Sequence, residues 1–254
     1  YTKDVVTDAN GDLRGASWQA CSAGLIYNRA IAKEVLGSDD PADVQEAVKD
    51  WDTFGQTADT LKKAGYNITS TVNDTYRVYS NNVSEKWVSD DGKVQIDDNI
   101  KKCVDKKETT TAELWSDDWS KGFFEDTPVF AYFGPAWLIN FSMHADEEGS
   151  TANAGGWGLV EGPQGFYWGG TWICAATGTD NPTLVKDIIL TMTTDDDVMK
   201  DIAVKDSDCV NNKDVLADLA ADDSFGSPVL GGQNPYAMLA AGAEKVDMSN
   251  ISIY

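Results

Sequence analysis

A single histidine, His144, is all the histidine in this 254-residue chain. Mechanisms that need a histidine base therefore have one candidate, and metal sites built from several imidazoles have none. His144 lies in the polar run "SMHADEEGS", which reads as the end of a surface helix and not as a catalytic base. Cysteine is also scarce. Cys21, Cys103, Cys174 and Cys209 are scattered with no C-x-x-C spacing, which excludes a zinc ribbon and a dithiol redox motif. One or two disulfides and four buried thiols both remain open. Positive charge is short: 20 Lys and Arg stand against 42 Asp and Glu, a formal charge of -22. That balance repels phosphate backbones and anionic lipid, so it argues against a nucleic-acid partner and a polybasic membrane patch. The acidic surplus itself reads as a solvated surface. Long apolar runs are missing too. The longest uncharged stretches, Thr127 to Met143 and Pro163 to Thr179, are broken by Gly or Pro and fall short of the ~20 residues of a spanning helix. No motif points to a cofactor or metal, and the start at Tyr1, with no initiator Met or signal-peptide pattern, reads as a processed or truncated chain.

What is present, 42% hydrophobic residues over this length, can bury a large core. "DANGDLRG", Asp8 to Gly15, is a turn joining two short extended pieces; its acidic spacing resembles a calcium loop only superficially, because Leu13 stands where that loop needs glycine. Residues Ala23 to Tyr27 read as a buried strand, and Asn28 can cap a helix ending at Gly37. In "DWDTFGQTADTLKKAG", Trp51, Phe54, Ala58 and Leu61 recur at helical spacing behind a capping Asp50 or Asp52, and Gly65 ends the helix. "YNITSTV" reads as a strand, the span from Lys93 to Asp126 as mainly helical, and Val129 to Phe133 as a buried strand ending on a Gly134-Pro135 corner. "GWGLVEGP" is extended, "GGTWICAAT" is a strand, and "NPTLVKDIILTMTT" is a helix with Pro182 in its first turn. Strands alternating with helices favour an α/β architecture, in which ligands collect at strand ends. Two glycine-bearing segments with aromatics, Arg14 to Gly24 and Phe166 to Trp172, are hinge candidates.

Nine tryptophans are distributed unevenly. Trp51 and Trp87 fall on helix-like patterns, whereas Trp18, Trp137, Tyr167, Trp168 and Trp172 lie at strand ends or in glycine-containing loops. An indole or phenol ring there can pack its face against the C–H face of a sugar while amides and carboxylates bond the hydroxyls. Gln19, Asp74, Gln233 and Asn234 are polar partners of suitable type, with Tyr76 beside Asp74. Asn234 serves equally well as the cap of the helix that Pro235 opens. Trp168 and Trp172, next to the glycines at 169 and 170, are expected to matter more for binding than Trp51 or Trp87.

The order of these segments resembles the extracellular solute-binding proteins of bacterial ABC importers, in the carbohydrate-binding family that includes maltose-binding protein. "GLIYNRAIAKEVLG" is similar to that family's Tyr-Asn strand and helix, and "DWDTFGQTADTLKKAG" resembles its Pro-x-Thr-Trp-x-Glu helix. "DDWSKGFFEDTPVFAYFGPAWL" looks like its helix, strand and Gly-Pro-Trp corner, although Ala136 stands where the family often has an aromatic, so Trp137 can instead face the core. "GWGLVEGPQGFYWGGTWICAATGTDNPTLVKDIILTMTTDD" is similar to its Gly-Gly strand and Asn-Pro helix. The resemblance implies a two-lobed periplasmic-binding-protein-like (type II) fold. It further implies an internal fragment without the first part of lobe 1 and the closing helices. Residues 15–164 would be the second lobe, 165–219 a return into the first, and 220–254 the start of the closing helices. It implies a receptor that binds a mono- or oligosaccharide between the lobes, closes by hinge bending and delivers it to a membrane permease. Such receptors are extracellular or periplasmic, held to the membrane only through a lipid anchor outside this chain. With residues before Tyr1 missing, the strand at Thr171 to Ala176 and the helix at Leu184 to Thr191 are expected to lack sheet neighbours. Two alternatives compete: a glycan-active enzyme, against which the adjacent pairs Asp117/Asp118 and Glu147/Glu148 argue because neighbours diverge, and a static lectin-like module.

Overall fold

The computed structural model describes residues 1–81, 86, 88–94, 101, 104–124, 126 and 129–250. In chain order its elements begin with α1 (Thr2–Val5) and β1 (Ala16–Ser17), separated by a turn in which the Asp8 carboxylate accepts from the N–H groups of Asn10 and Asp12 and pairs with Arg14. β2 (Ser22–Asn28) is buried along all seven residues. It stops because the Asn28 Oδ1 accepts from the Ile31 N–H at 3.1 Å, turning the chain into α2 (Arg29–Ile31) and a π-helical turn, Ala32–Leu36, that ends on Gly37 at φ 85°. α3 (Pro41–Val48) has Asp40 as cap and proline in its first turn. α4 (Trp51–Lys63) opens with a capping box between Asp50 and Thr53 and buries Phe54, Ala58 and Leu61 on one face. α5 (Val72–Ser80) is capped by Thr71.

After α6 (Asp117–Ser120) and a 3-10 turn, Lys121–Phe123, come β3 (Ala131–Pro135), α7 (Ala136–Phe141), β4 (Trp157–Val160), β5 (Phe166–Tyr167) and β6 (Trp172–Ile173). Four helices follow: α8 (Pro182–Thr194), α9 (Asp196–Lys205), α10 (Lys213–Ala220) and α11 (Tyr236–Glu244). Among the described residues no helix is long and apolar enough to cross a membrane.

β2 is the centre of the main sheet, flanked by β3 and β4 and joined at its start by β5, all antiparallel. The register sets Ala23 opposite Pro135, Leu25 opposite Val160 and Ser22 opposite Tyr167. Alternation along β2 sends its side chains into two cores. Leu25 and Tyr27 pack with Phe54, Leu61 and Phe133 under α3 and α4, while Ile26 packs with Trp119, Tyr132, Leu159, Met199, Leu216 and Leu239. A second, two-residue sheet pairs β1 with β6, so the two segments expected to act as hinges are hydrogen-bonded to each other.

Several sequence expectations shift. The run Tyr66 to Val72 is no strand: only Thr69 bridges to Thr109 and Ala131, because the Thr71 hydroxyl caps α5 and turns the β-branched run into a helix start. Of the span read as helical up to Asp126, the described residues 108 to 116 are largely extended or turn. The strand read as Val129 to Phe133 runs from Ala131 to Pro135, and "GGTWICAAT" contributes only Trp172–Ile173. His144 lies three residues past α7 at φ 55°, its Nδ1 2.5 Å from Glu147 Oε1. Cys21, Cys174 and Cys209 are free thiols; Cys103 and Trp87 lie outside the described residues. The segment 165–219 divides. α9 and α10 bury Met199, Ala203, Val215, Leu216 and Leu219 in the same core as β2, whereas α8 buries nothing and leaves Leu184, Ile188 and Leu190 in water.

The tight crossing of β2 and β4 yields a test. A Cβ on Gly24 would stand 2.5 Å from the Val160 carbonyl oxygen and 2.7 Å from Met238 Cε, so one contact is rigid backbone. Gly24→Ala is expected to lower unfolding stability by about 1–3 kcal/mol in chemical denaturation, whereas Gly55→Ala, with open space at its Cβ, should not be destabilising.

Candidate functional site

Because β3 and β5 run antiparallel to β2, their carboxyl ends and the start of β2 share one edge of the sheet. Trp137 stands just beyond β3 and Trp168 just beyond β5, so the register alone brings the two indoles together. Their ring centroids are 5.2 Å apart at 70°, and Trp137 Nε1 donates to the Trp168 carbonyl at 3.2 Å. Trp168 is itself fixed by its N–H, which donates to the Cys21 carbonyl at 2.9 Å. Trp115 completes the group, with its ring 5.9 Å from Trp137, 5.4 Å from Trp168 and 4.9 Å from Trp119. Trp119 is fully buried, but Trp115 is 52% exposed and its backbone sits at φ 67°, an uncommon conformation for a bulky residue. Four indoles thus grade from core to solvent. Arg77, from α5, lays its guanidinium carbon 5.0 Å from the Trp168 ring centroid.

Asp74 lies beneath this surface. It is buried; its Oδ2 accepts from Trp119 Nε1 at 3.3 Å, and its Oδ1 has no hydrogen-bond partner among the described residues. Burial pushes its carboxyl up to about 7, against the opposing pull of the Trp119 N–H and the Arg77 charge. Around neutral pH the carboxyl is therefore close to half protonated.

The remaining sequence candidates separate into groups. Tyr167 is half-buried, stacked on Tyr1 at 4.7 Å, and its carbonyl accepts from Asn81. Tyr76 is exposed on α5. Trp18, Gln19 and Trp172 belong to the β1–β6 region: the Trp18 carbonyl accepts from Asn211, Gln19 joins Asp208 to Thr171, and Trp172 Nε1 donates to the Thr2 carbonyl at 2.8 Å. Gln233 is committed elsewhere. It accepts from the Leu159 N–H at 2.9 Å and donates to the Leu159 carbonyl at 2.7 Å, holding its loop to β4. Asn234 accepts from the Tyr236 N–H and donates to the Leu219 and Asp222 carbonyls, which is the capping arrangement. The side-chain groups of both amides are thus committed to these backbone partners. Trp51 packs on Phe54 and Tyr79 and donates to Gln164, away from the cluster.

Residues 1–225 match the family described as bacterial extracellular solute-binding protein. The chain belongs to that family. It is a family of binding proteins, which removes the glycan-active enzyme from consideration. Solved structures agree on the fold. An extracellular solute-binding protein of family 1 superposes with a TM-score of 0.80 at 17% identity, covering 97% of this chain and 64% of its own. An ABC-transporter-associated binding protein of B. animalis subsp. lactis Bl-04, solved with beta-1,6-galactobiose, gives 0.68 at 21% identity, with coverages of 98% and 66%. The galacto-N-biose/lacto-N-biose I-binding protein of Bifidobacterium longum, solved with lacto-N-biose, gives 0.68 at 17%, with coverages of 96% and 61%. The chain thus spans between 61% and 66% of the length of these three structures. A comparison with curated proteins gives no match.

Of the residues in this indole cluster, sequence reasoning did not single out Trp115 or Arg77. Trp115 was absorbed into a helical reading of its segment, yet "WSDDW" carries the needed signal: Ser116 caps α6 through the Trp119 N–H, which puts Trp115 outside the helix. Asp74 gives the test. A carboxyl raised in the folded state keeps its proton where the unfolded chain has lost it, so its favourable contribution is full below the unfolded value near 4 and disappears as pH rises through about 7. The protein should be roughly 2–3 kcal/mol less stable at pH 8 than at pH 5 from this group alone. Asp74→Asn should remove most of that slope in denaturant titrations at the two pH values; an unchanged slope would show that Asp74 is not the group responsible.

Proposed function

We propose that the indole cluster of Trp115, Trp137 and Trp168 is the sugar-binding surface of an ABC importer's receptor. The observation that carries this is Trp115: a half-exposed indole at positive φ, packed against two others at the edge where β3 and β5 end. Such a surface offers ring faces to sugar C–H groups, and Arg77, over the Trp168 ring, supplies a polar contact at its margin. In this reading the main sheet with α3 to α7 and α9 to α11 forms one lobe. β1, β6 and α8 begin the other, and Trp18, Tyr167 and Trp172 line the passage between them. The paired strands β1 and β6, flanked by Gly169 and Gly170 at positive φ, act as the hinge on which the lobes close over a mono- or oligosaccharide. The loaded receptor then delivers its cargo to the membrane permease. It works outside the cell, as a lipid-anchored or periplasmic protein. Binding of oligosaccharides by two proteins of the same fold supports the ligand class.

Thermal unfolding of this chain against a panel of mono- and oligosaccharides tests the reading, since a ligand at a hundred times its dissociation constant adds roughly 2.7 kcal/mol. Trp115→Ala is expected to weaken binding of the best ligand about tenfold, and Trp51→Ala by less than about twofold, by calorimetric titration. A panel without a stabilising sugar would overturn the function. A folded Trp115→Ala variant with undiminished affinity would move the site.

A further inference from the structure

The chain has three arginines, Arg14, Arg29 and Arg77. Arg14 is paired with Asp8 and Asp12, and Arg29 is held by Asp39 and by the carbonyls of Trp157 and Leu230. Arg77 differs. Its guanidinium lies over the Trp168 ring, and no carboxylate among the described residues is within ion-pair distance of it. Among the described residues Arg77 is thus the arginine whose charge rests on a ring face and not on an ion pair, in a chain with 42 acidic residues against 20 basic ones.

Resting on the sugar-binding reading above, we propose that the ligand of this site carries an anionic group, a uronate carboxylate or a sulfate ester, which pairs with Arg77 while a sugar ring packs on Trp115. Among the described residues, the Asp74 carboxyl and the Tyr167 hydroxyl feel the charge of Arg77. Asp74 is on the same helix, lies beneath Trp119, and is pushed up to about 7 by burial, so it neutralises Arg77 only in part near neutral pH. Tyr167 is neutral there, its hydroxyl raised above the usual range by burial. A guanidinium fork matches a planar or tetrahedral oxyanion, and the position over Trp168 sets that of Arg77. The acidic surface does not forbid such a ligand, because charges beyond a Debye length of about 8 Å are screened at physiological salt.

The experiment is calorimetric titration of this chain with disaccharides matched in ring stereochemistry and linkage: neutral, uronic and O-sulfated members of the gluco, galacto and manno series. The expected result is that an acidic member binds at least about tenfold more tightly than its neutral counterpart. Arg77→Gln should reduce that ratio to within about threefold, and Arg77→Lys should keep part of it. The better of the uronate and sulfate arms identifies the oxyanion. Neutral members binding as tightly as acidic ones in the wild-type protein would overturn the inference and leave the sugar-binding function intact, a result that needs no variant to fold. If no member of any arm bound, both readings would fall together.

Discussion

Everything in this structure is referred to β2, a seven-residue strand with no solvent-facing side. Its neighbours are all antiparallel to it, so three chain segments distant in sequence deliver their ends to the same edge. Trp137 and Trp168, separated by thirty-odd residues, meet because Pro135 is registered against Ala23 and Tyr167 against Ser22. A slip of one residue in either pairing would send the Phe133 or Phe166 ring from one core into the other, where Trp119, Tyr132 and Leu159 already fill the space, so packing on both faces fixes the register and the register fixes the indoles.

The helices legible in the sequence are those whose starts carry a local signal, a capping hydrogen bond or a first-turn proline. Asn28, Asp50 and Pro182 mark helix starts by local chemistry that needs no tertiary partner, and the structure places helices behind each. The run from Tyr66 to Val72 shows where that legibility stops. Its Ile, Thr and Val suit a strand, but only Thr69 bridges, to Thr109 and to Ala131 of β3, before the Thr71 hydroxyl caps α5 and turns the chain into a helix. The Gly134-Pro135 corner was visible as a break, though not as the last two residues of β3; the strand extends because Ala23 and Gly24 pair with them.

The indole cluster was legible in part, and for a related reason. Aromatics at strand ends pointed to Trp137 and Trp168, since strand ends converge in any layered fold. Gln233 and Asn234 had the right chemistry for sugar hydroxyls, but in this half-exposed loop that same chemistry bonds the backbone of β4 and the carbonyls near α10. Trp115 was invisible because its role depends on contacts with Trp137 and Trp168 across long sequence separations. Arg77, lying a helical turn from Asp74, reads as an ordinary surface cation until its place over the Trp168 ring is set against the ion-paired state of Arg14 and Arg29.

The contrast between the two sheets bears on how a receptor of this design would move. The β1–β6 pair comprises two residues on each strand, too few backbone bonds to resist bending, and its flanking glycines accept conformations closed to other residues. One side of the pair is nevertheless anchored. Ser17 donates to the carbonyls of Gln19 and Thr171, Gln19 bonds Asp208 and Thr171, and Asn211 donates to the Ser17 carbonyl. These bonds tie the pair to the segment between α9 and α10, which belongs to the large core. A pliable strand pair on a rigid base confines rotation to a defined axis and spares the indole cluster, whose backbone is held by β2 through Cys21 and Ala23. In the proposed receptor, lobe closure would therefore bring a second surface to a preformed aromatic platform, and the ordering of that platform would not be charged against ligand affinity.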